Sequence, residues 1–198
     1  MNVSIEDIKK LKELTGVGLT DAKVALVEAD GDFDKALEAM RKKGLTRAEK
    51  KGDREAREGI IDSYVHSGRI GVIVEVNCET DFVARLDAFK ELAHEIALQI
   101  AAMSPVYVTE ADIPAEEIER VRKEAEERVK NEGKPADIAE KIVDGQVKKH
   151  FADQVLMSQT YIKNEKQTVG DFVKDNIAKL GENIVVRQFK RIELGVNE

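Results

Sequence analysis

Several places in this chain carry residue types that chemistry needs. His94-Glu95-Ile96-Ala97-Leu98 opens like a zinc-protease helix, where two histidines four residues apart hold the metal and the glutamate between them acts as base. Leu98 stands where the second histidine must be. Cys78 and His66 would make a nucleophile and base if a hairpin brought them together. Cys78 instead continues an inward apolar row, the usual setting of a buried, inert thiol. Gly16-Val17-Gly18-Leu19-Thr20-Asp21 lacks the lysine of a phosphate-cradling loop and the spacing of a dinucleotide fingerprint. His150, beside Lys148 and Lys149 near a helix end, suits a place where a cation is favoured. These readings argue against an enzyme, a cofactor or a metal site.

The remaining place is Asn77 to Leu86, N-C-E-T-D-F-V-A-R-L, where Asp81 and Phe82 stand side by side at a strand-to-helix corner. Two readings of Phe82 are open. Phe82, Leu86, Phe89 and Ala93 share helical spacing, which places Phe82 in a core. Asp87 can instead cap a fresh helix, leaving Thr80 to Ala84 as a separate turn. Thr80 then caps that turn and Phe82 projects.

The elements that position these residues follow from pattern. The 198 residues are 36% charged, 42% hydrophobic and 5% aromatic, a helix-rich globular composition. The single cysteine excludes an internal disulfide framework and a cysteine-built zinc site. No run approaches the roughly 20 apolar residues of a membrane span, and the first residues have no signal-peptide core. A cytoplasmic protein without a membrane partner is expected. Net charge is −7, yet Arg41 to Arg57 holds eight basic and three acidic residues. Such a stretch can touch nucleic acid, but its own acids and the acidic remainder favour a solvated linker helix.

The fold class expected is α+β. Residues 1–54 read as a three-helix bundle with a linker. Ser4 caps a helix with Ile5, Ile8, Leu11 and Leu14 on one face. A second helix carries Ala22, Ala25, Leu26 and Ala29. A third, capped by Asp32, carries Phe33, Ala36, Leu37 and Met40 and stops at Gly44. Residues 55–198 read as a core domain. Ile61, Ser63 and Val65 alternate, Ser67-Gly68 turns, and Ile70, Val72, Val74, Val76 and Cys78 alternate back as a hairpin. A long helix runs from Phe89 to Ala101. A projecting antiparallel helical hairpin follows, with Ile118, Val121, Ala125 and Val129 facing Ile138, Ile142, Val143, Val147 and Phe151 across a turn at 131–135. Stripes so narrow need something else to cover them. A helix from Thr168 to Leu180, stopped by Gly181, leads to a last strand with Ile184, Val186 and Ile192 on one face, joining the small antiparallel sheet.

At V-N-C-E-T-D-F-V-A-R the chain closely resembles the signature of elongation factor Ts, the guanine-nucleotide exchange factor of bacterial elongation factor Tu. L-K-E-L-T-G-V-G-L-T-D-A-K-V-A-L and E-A-D-G-D-F-D-K-A look like that family's ubiquitin-associated-like docking domain. G-K-P-A-D-I-A-E-K-I-V-D-G-Q-V-K-K and Q-T-V-G-D-F-V extend the match over nearly the whole chain, with one copy of the core module, as in short members that pair as homodimers. The resemblance implies that Thr80, Asp81, Phe82 and Val83 form a turn that intrudes on elongation factor Tu and dislodges its Mg²⁺. It also implies that Val17, Gly18 and Leu19 grip the partner's nucleotide-binding domain. Ala22 replaces a frequent cysteine, Val24 a common lysine and Thr160 a usual proline, the last pointing to a looser loop. The N-terminal unit also resembles ubiquitin-binding domains, so a simple protein-binding module is the alternative.

Overall fold

A computed structural model describes residues 3–131 and 136–196. Three helices open the chain: α1 (Ile5–Thr15), α2 (Leu19–Glu28) and the longer α3 (Phe33–Glu49). The Ser4 hydroxyl accepts the Glu6 N–H, and Gly16 ends α1 in the left-handed region at φ +67°. Asp32 accepts the Lys35 N–H at 3.1 Å and so starts α3. Leu11, Val17, Ala22, Leu26, Ala36 and Met40 form the small core between them. Ile5 and Leu14 stay out of it, 71% and 56% exposed. Two thin neighbours cover only the middle of the α1 stripe, so the four-residue face read from the sequence shrinks to Ile8 and Leu11.

The sheet has the order β1-β2-β5 and is antiparallel throughout, with β1 (Glu58–His66), β2 (Ile70–Cys78) and β5 (Ile184–Glu193). Ser67 and Gly68 both take positive φ, as a two-residue hairpin turn requires. Val72, Val74, Val76 and Cys78 are buried beneath α5 (Asp87–Met103), which contributes Phe89, Leu92, Ile96 and Ile100. Two strand expectations are corrected. On β1 the inward residues are Ile60 and Tyr64, while Ile61 and Val65 are 72% and 66% exposed. Ile60 lies opposite Val76 and Tyr64 opposite Val72, and opposed residues share a face, so the buried β2 row fixes the phase of β1. On β5, Ile184 and Val186 face inward but Ile192 is 71% exposed. A bulge is the cause: Val76 pairs with Val186 and Glu75 with Gln188, so Arg187 is the extra residue and the alternation flips beyond it.

Two long helices, α6 (Ala115–Asn131) and α7 (Ala136–Ala152), form the helical hairpin, and most of its expected turn lies outside the described residues. Val121, Ala125, Val129, Val143 and Phe151 are buried. Among the described residues the stripes cover each other, with Tyr107, Ile113 and Val155 closing the base; the separate covering surface expected from the sequence is not needed there. Ile138 is 42% exposed. A small ladder of β3 (Thr160–Tyr161) and β4 (Asn164–Thr168), unforeseen in the sequence, precedes α8 (Val169–Leu180). Thr168 and Asp171 cap α8 reciprocally and Gly181 ends it.

Gly44 does not stop α3, which runs on to Glu49. A Cβ at Gly44 would sit 3.3 Å from the Ala178 Cβ, so the glycine lets α3 pack closely on α8. Glycine inside a helix costs roughly 1 kcal/mol relative to alanine, and here it stands where the two helices approach closely. The first half of α3 therefore belongs to the N-terminal core, while Ala48 in its second half belongs to the main one.

Candidate functional site

The corner after β2 is a single helical turn, α4 (Asp81–Ala84). The Thr80 hydroxyl accepts the Val83 N–H at 3.4 Å, and the Cys78 thiol donates to the Thr80 carbonyl at 3.2 Å. Val83 and Ala84 are buried and anchor the turn in the main core. The chain then breaks at Arg85 and Leu86, and α5 starts afresh. Leu86 is its N-cap without a side-chain bond; Asp87 is its first residue rather than its cap. That break separates two phenylalanines seven residues apart. Phe89 is 0% exposed and Phe82 is 77% exposed. Asp81 beside it pairs with Arg85 at 2.7 Å. Of the four residues expected to act together, Phe82 and Asp81 face outward, while Thr80 and Val83 hold the turn.

Beneath the turn lies a clamp that sequence reasoning missed. The Glu182 carboxylate accepts the N–H groups of Glu79 (3.1 Å) and Thr80 (3.0 Å) and the Thr80 hydroxyl (2.6 Å). Glu79 in turn accepts the Asn183 N–H at 2.6 Å and lies 3.5 Å from Arg54. The partners are about a hundred positions apart. The one local signal is an acidic residue placed directly after the helix-stopping Gly181.

At the expected docking turn, Val17 is buried in its own core, so its side chain is not offered outward. Gly18 and Leu19 are exposed, Leu19 by 52%. They adjoin α2, whose Val24 and Val27 are also about half exposed. Ala22 is fully buried. Near Thr160 the structure holds the chain firmly. The buried Gln99 amide donates to the Gln159 side chain and to the Thr160 carbonyl, both at 3.1 Å, and its oxygen accepts the Ile162 N–H at 2.9 Å.

The structure keeps the Cys78 thiol and the His66 imidazole apart. Burial, reinforced by the charge of Glu182, pushes the Cys78 thiol up to about 11. His66 binds the Tyr64 hydroxyl at the far end of the hairpin, opposite Ile70, while Cys78 lies opposite Glu58. His94 pairs with Asp62 at 3.0 Å. Among the described residues no three His, Cys, Asp or Glu side chains gather as a metal would need.

A family model described as elongation factor TS matches residues 42–195, which span the sheet, the Phe82 turn and the helical hairpin. The chain belongs to the elongation factor Ts family. Proteins named elongation factor Ts from Thermotoga maritima and Fervidobacterium nodosum are 52% and 49% identical to it over 196 residues. That is 98% of this chain and 98% and 100% of theirs. The protein of that name from Coprothermobacter proteolyticus is 50% identical over 98% of this chain and 100% of its own length. The alignments thus include the N-terminal helices, which the family model leaves out up to residue 41. Family membership makes this a translation elongation factor, and no helix among the described residues is long and apolar enough to cross a membrane.

Proposed function

We propose that this elongation factor Ts family member is a guanine-nucleotide exchange factor for elongation factor Tu. It binds the partner in its GDP-loaded and nucleotide-free states and displaces Mg²⁺ and then GDP. The observation that carries the reading is Phe82, a large ring 77% exposed on a turn whose other residues are pinned. An exchange factor must bind the nucleotide-free partner more tightly than the loaded one, and linkage then weakens nucleotide by the same factor. Burying one aromatic ring in the partner supplies roughly 1.5–3 kcal/mol toward that difference. Thr80 and Val83 set the turn, Asp81 and Phe82 meet the partner, and Gly18 and Leu19 grip its nucleotide-binding domain. Residues 1–54 act as the docking unit and 55–198 as the core that does the prying. The protein makes and breaks no covalent bond, needs no cofactor and works in the cytoplasm.

The outer sheet face pairs with a second copy. Ile61, Val65, Ile73 and Ile192 are 56–72% exposed there, alongside Glu75 and Lys190 of opposite charge. Two copies turned face to face set apolar against apolar and acid against base, as an isologous interface does. Stopped-flow release of labelled GDP from elongation factor Tu tests the exchange reading. Acceleration by the full chain is expected; binding with an unchanged off-rate would make this a simple docking module.

A further inference from the structure

We propose that Glu182 is the positioning residue of the Phe82 turn, and that the corner 181–183 between α8 and β5 holds that turn and the docking unit in one fixed relation. The proposal rests on the exchange-factor reading and adds a residue to it. Three sets of contacts meet at the corner. The Glu182 carboxylate takes both backbone N–H groups at the start of the turn and the Thr80 hydroxyl. Glu79 reciprocates by accepting the Asn183 N–H. The Asn183 side-chain amide donates to the carbonyls of Gly52 (3.3 Å) and Arg54 (2.7 Å), and the Lys51 ammonium reaches the Gly181 carbonyl. One turn back, Lys179 lies so close to Gly16 that a Cβ there would come within 2.6 Å of the Lys179 Cα. The end of α1, the linker and the wedge-bearing turn thus all bear on a few residues around one corner.

A four-residue helix does not hold itself. Forming one turn fixes several dihedrals for a single hydrogen bond, so its geometry must be imposed from outside. The Thr80 hydroxyl spends its proton on Glu182 and keeps an oxygen lone pair for the Val83 N–H. A carboxylate bound to N–H groups makes stronger, shorter bonds than a neutral acceptor. Phe82 is little covered by its own fold, so the direction of its ring follows the direction of the turn. Without Glu182 the buried Val83 and Ala84 still tether the turn. The partner must then order it during the exchange step, at the expense of the rate.

The test uses the full chain, elongation factor Tu loaded with labelled GDP, and release rates measured against factor concentration. Glu182→Ala should lower the maximal rate about tenfold, the effect of a barrier raised by some 1.4 kcal/mol, while the half-saturating concentration moves less than about twofold. Glu182→Gln keeps an oxygen for the two N–H groups and should remain within about threefold of the parent. In a Phe82→Ala background, Glu182→Ala should add only about twofold, because Asp81 is then the one partner-facing side chain of the turn left for it to position. Equal slowing in both backgrounds would show a general loosening and overturn the proposal. So would an undiminished maximal rate for Glu182→Ala. Should the alanine variant melt below the assay temperature, Glu182→Asp, which withdraws the carboxylate by one methylene, is read the same way. A parent chain that releases no GDP defeats the exchange-factor reading itself, a different result from either.

Discussion

Phe82 and Phe89 make a matched pair, since the same truncation should act on different properties at the two sites. Phe89 is fully buried beneath the sheet, whereas less than a quarter of Phe82 is covered. Phe89→Ala should cost about 3–5 kcal/mol of stability. For a chain of this size each kcal/mol moves the melting temperature by about 2–4 °C, so the fall is roughly 6–20 °C. Phe82→Ala removes little packing from its own fold and should cost below about 1 kcal/mol, a few degrees at most. Its effect belongs to the complex. If the ring is buried only when the partner's nucleotide site is distorted, losing about 1.5–3 kcal/mol slows GDP release roughly 10–150-fold. Asp81→Ala should show a milder slowing. Thermal melts and stopped-flow release on the same preparations provide both readouts. A Phe82→Ala melt as low as that of Phe89→Ala, with release by the folded fraction unchanged, would refute the wedge.

Cys78 should react with an aromatic disulfide reagent at pH 8 only as fast as the protein unfolds, because its thiol is buried and pushed up to about 11. The same shift predicts stability that is complete below the ordinary thiol value of 9.0 and declines as pH rises toward about 11, since only the unfolded chain ionises readily in that window; a Cys78→Ala variant, compared by denaturant titration, should lack this component. Ile73→Lys on the outer sheet face should convert a homodimer to the 22.1 kDa monomer in sedimentation equilibrium, and a parent chain that is already monomeric at micromolar concentration counts against the dimer. Gly16→Ala meets both a left-handed backbone and the Lys179 Cα, so it should lift α1 from α8; faster proteolysis in the linker at 50–57 reads that out.

Much of this was legible in the sequence because the signals are local. Ser4, Asp32, Thr80 and Thr168 each name a helix start, and Ser67-Gly68 with the β2 alternation names the hairpin. The family-like Thr80 to Val83 turn was legible too. The phase of β1 was not, because Ile60 and Ile61 stand side by side and either alternation satisfies the pattern; only pairing with β2 decides. The Arg187 bulge has no glycine to mark it. Gly44 reads as a stop until Ala178 is seen against it. Glu182 was invisible for the same reason, since its role exists only where residues about a hundred positions apart meet.

That separation bears on synthesis. During translation Glu79, at the start of the Phe82 turn, leaves the ribosome 103 residues ahead of Glu182. At about 5–20 residues per second the delay is roughly 5–20 s. For most of that interval the nascent chain has its N-terminal helices and the β1–β2 hairpin, but neither α8, on which α3 packs, nor β5. Residues made long after it therefore complete the wedge, and a chain that stops short of Glu182 displays the Phe82 turn without its brace.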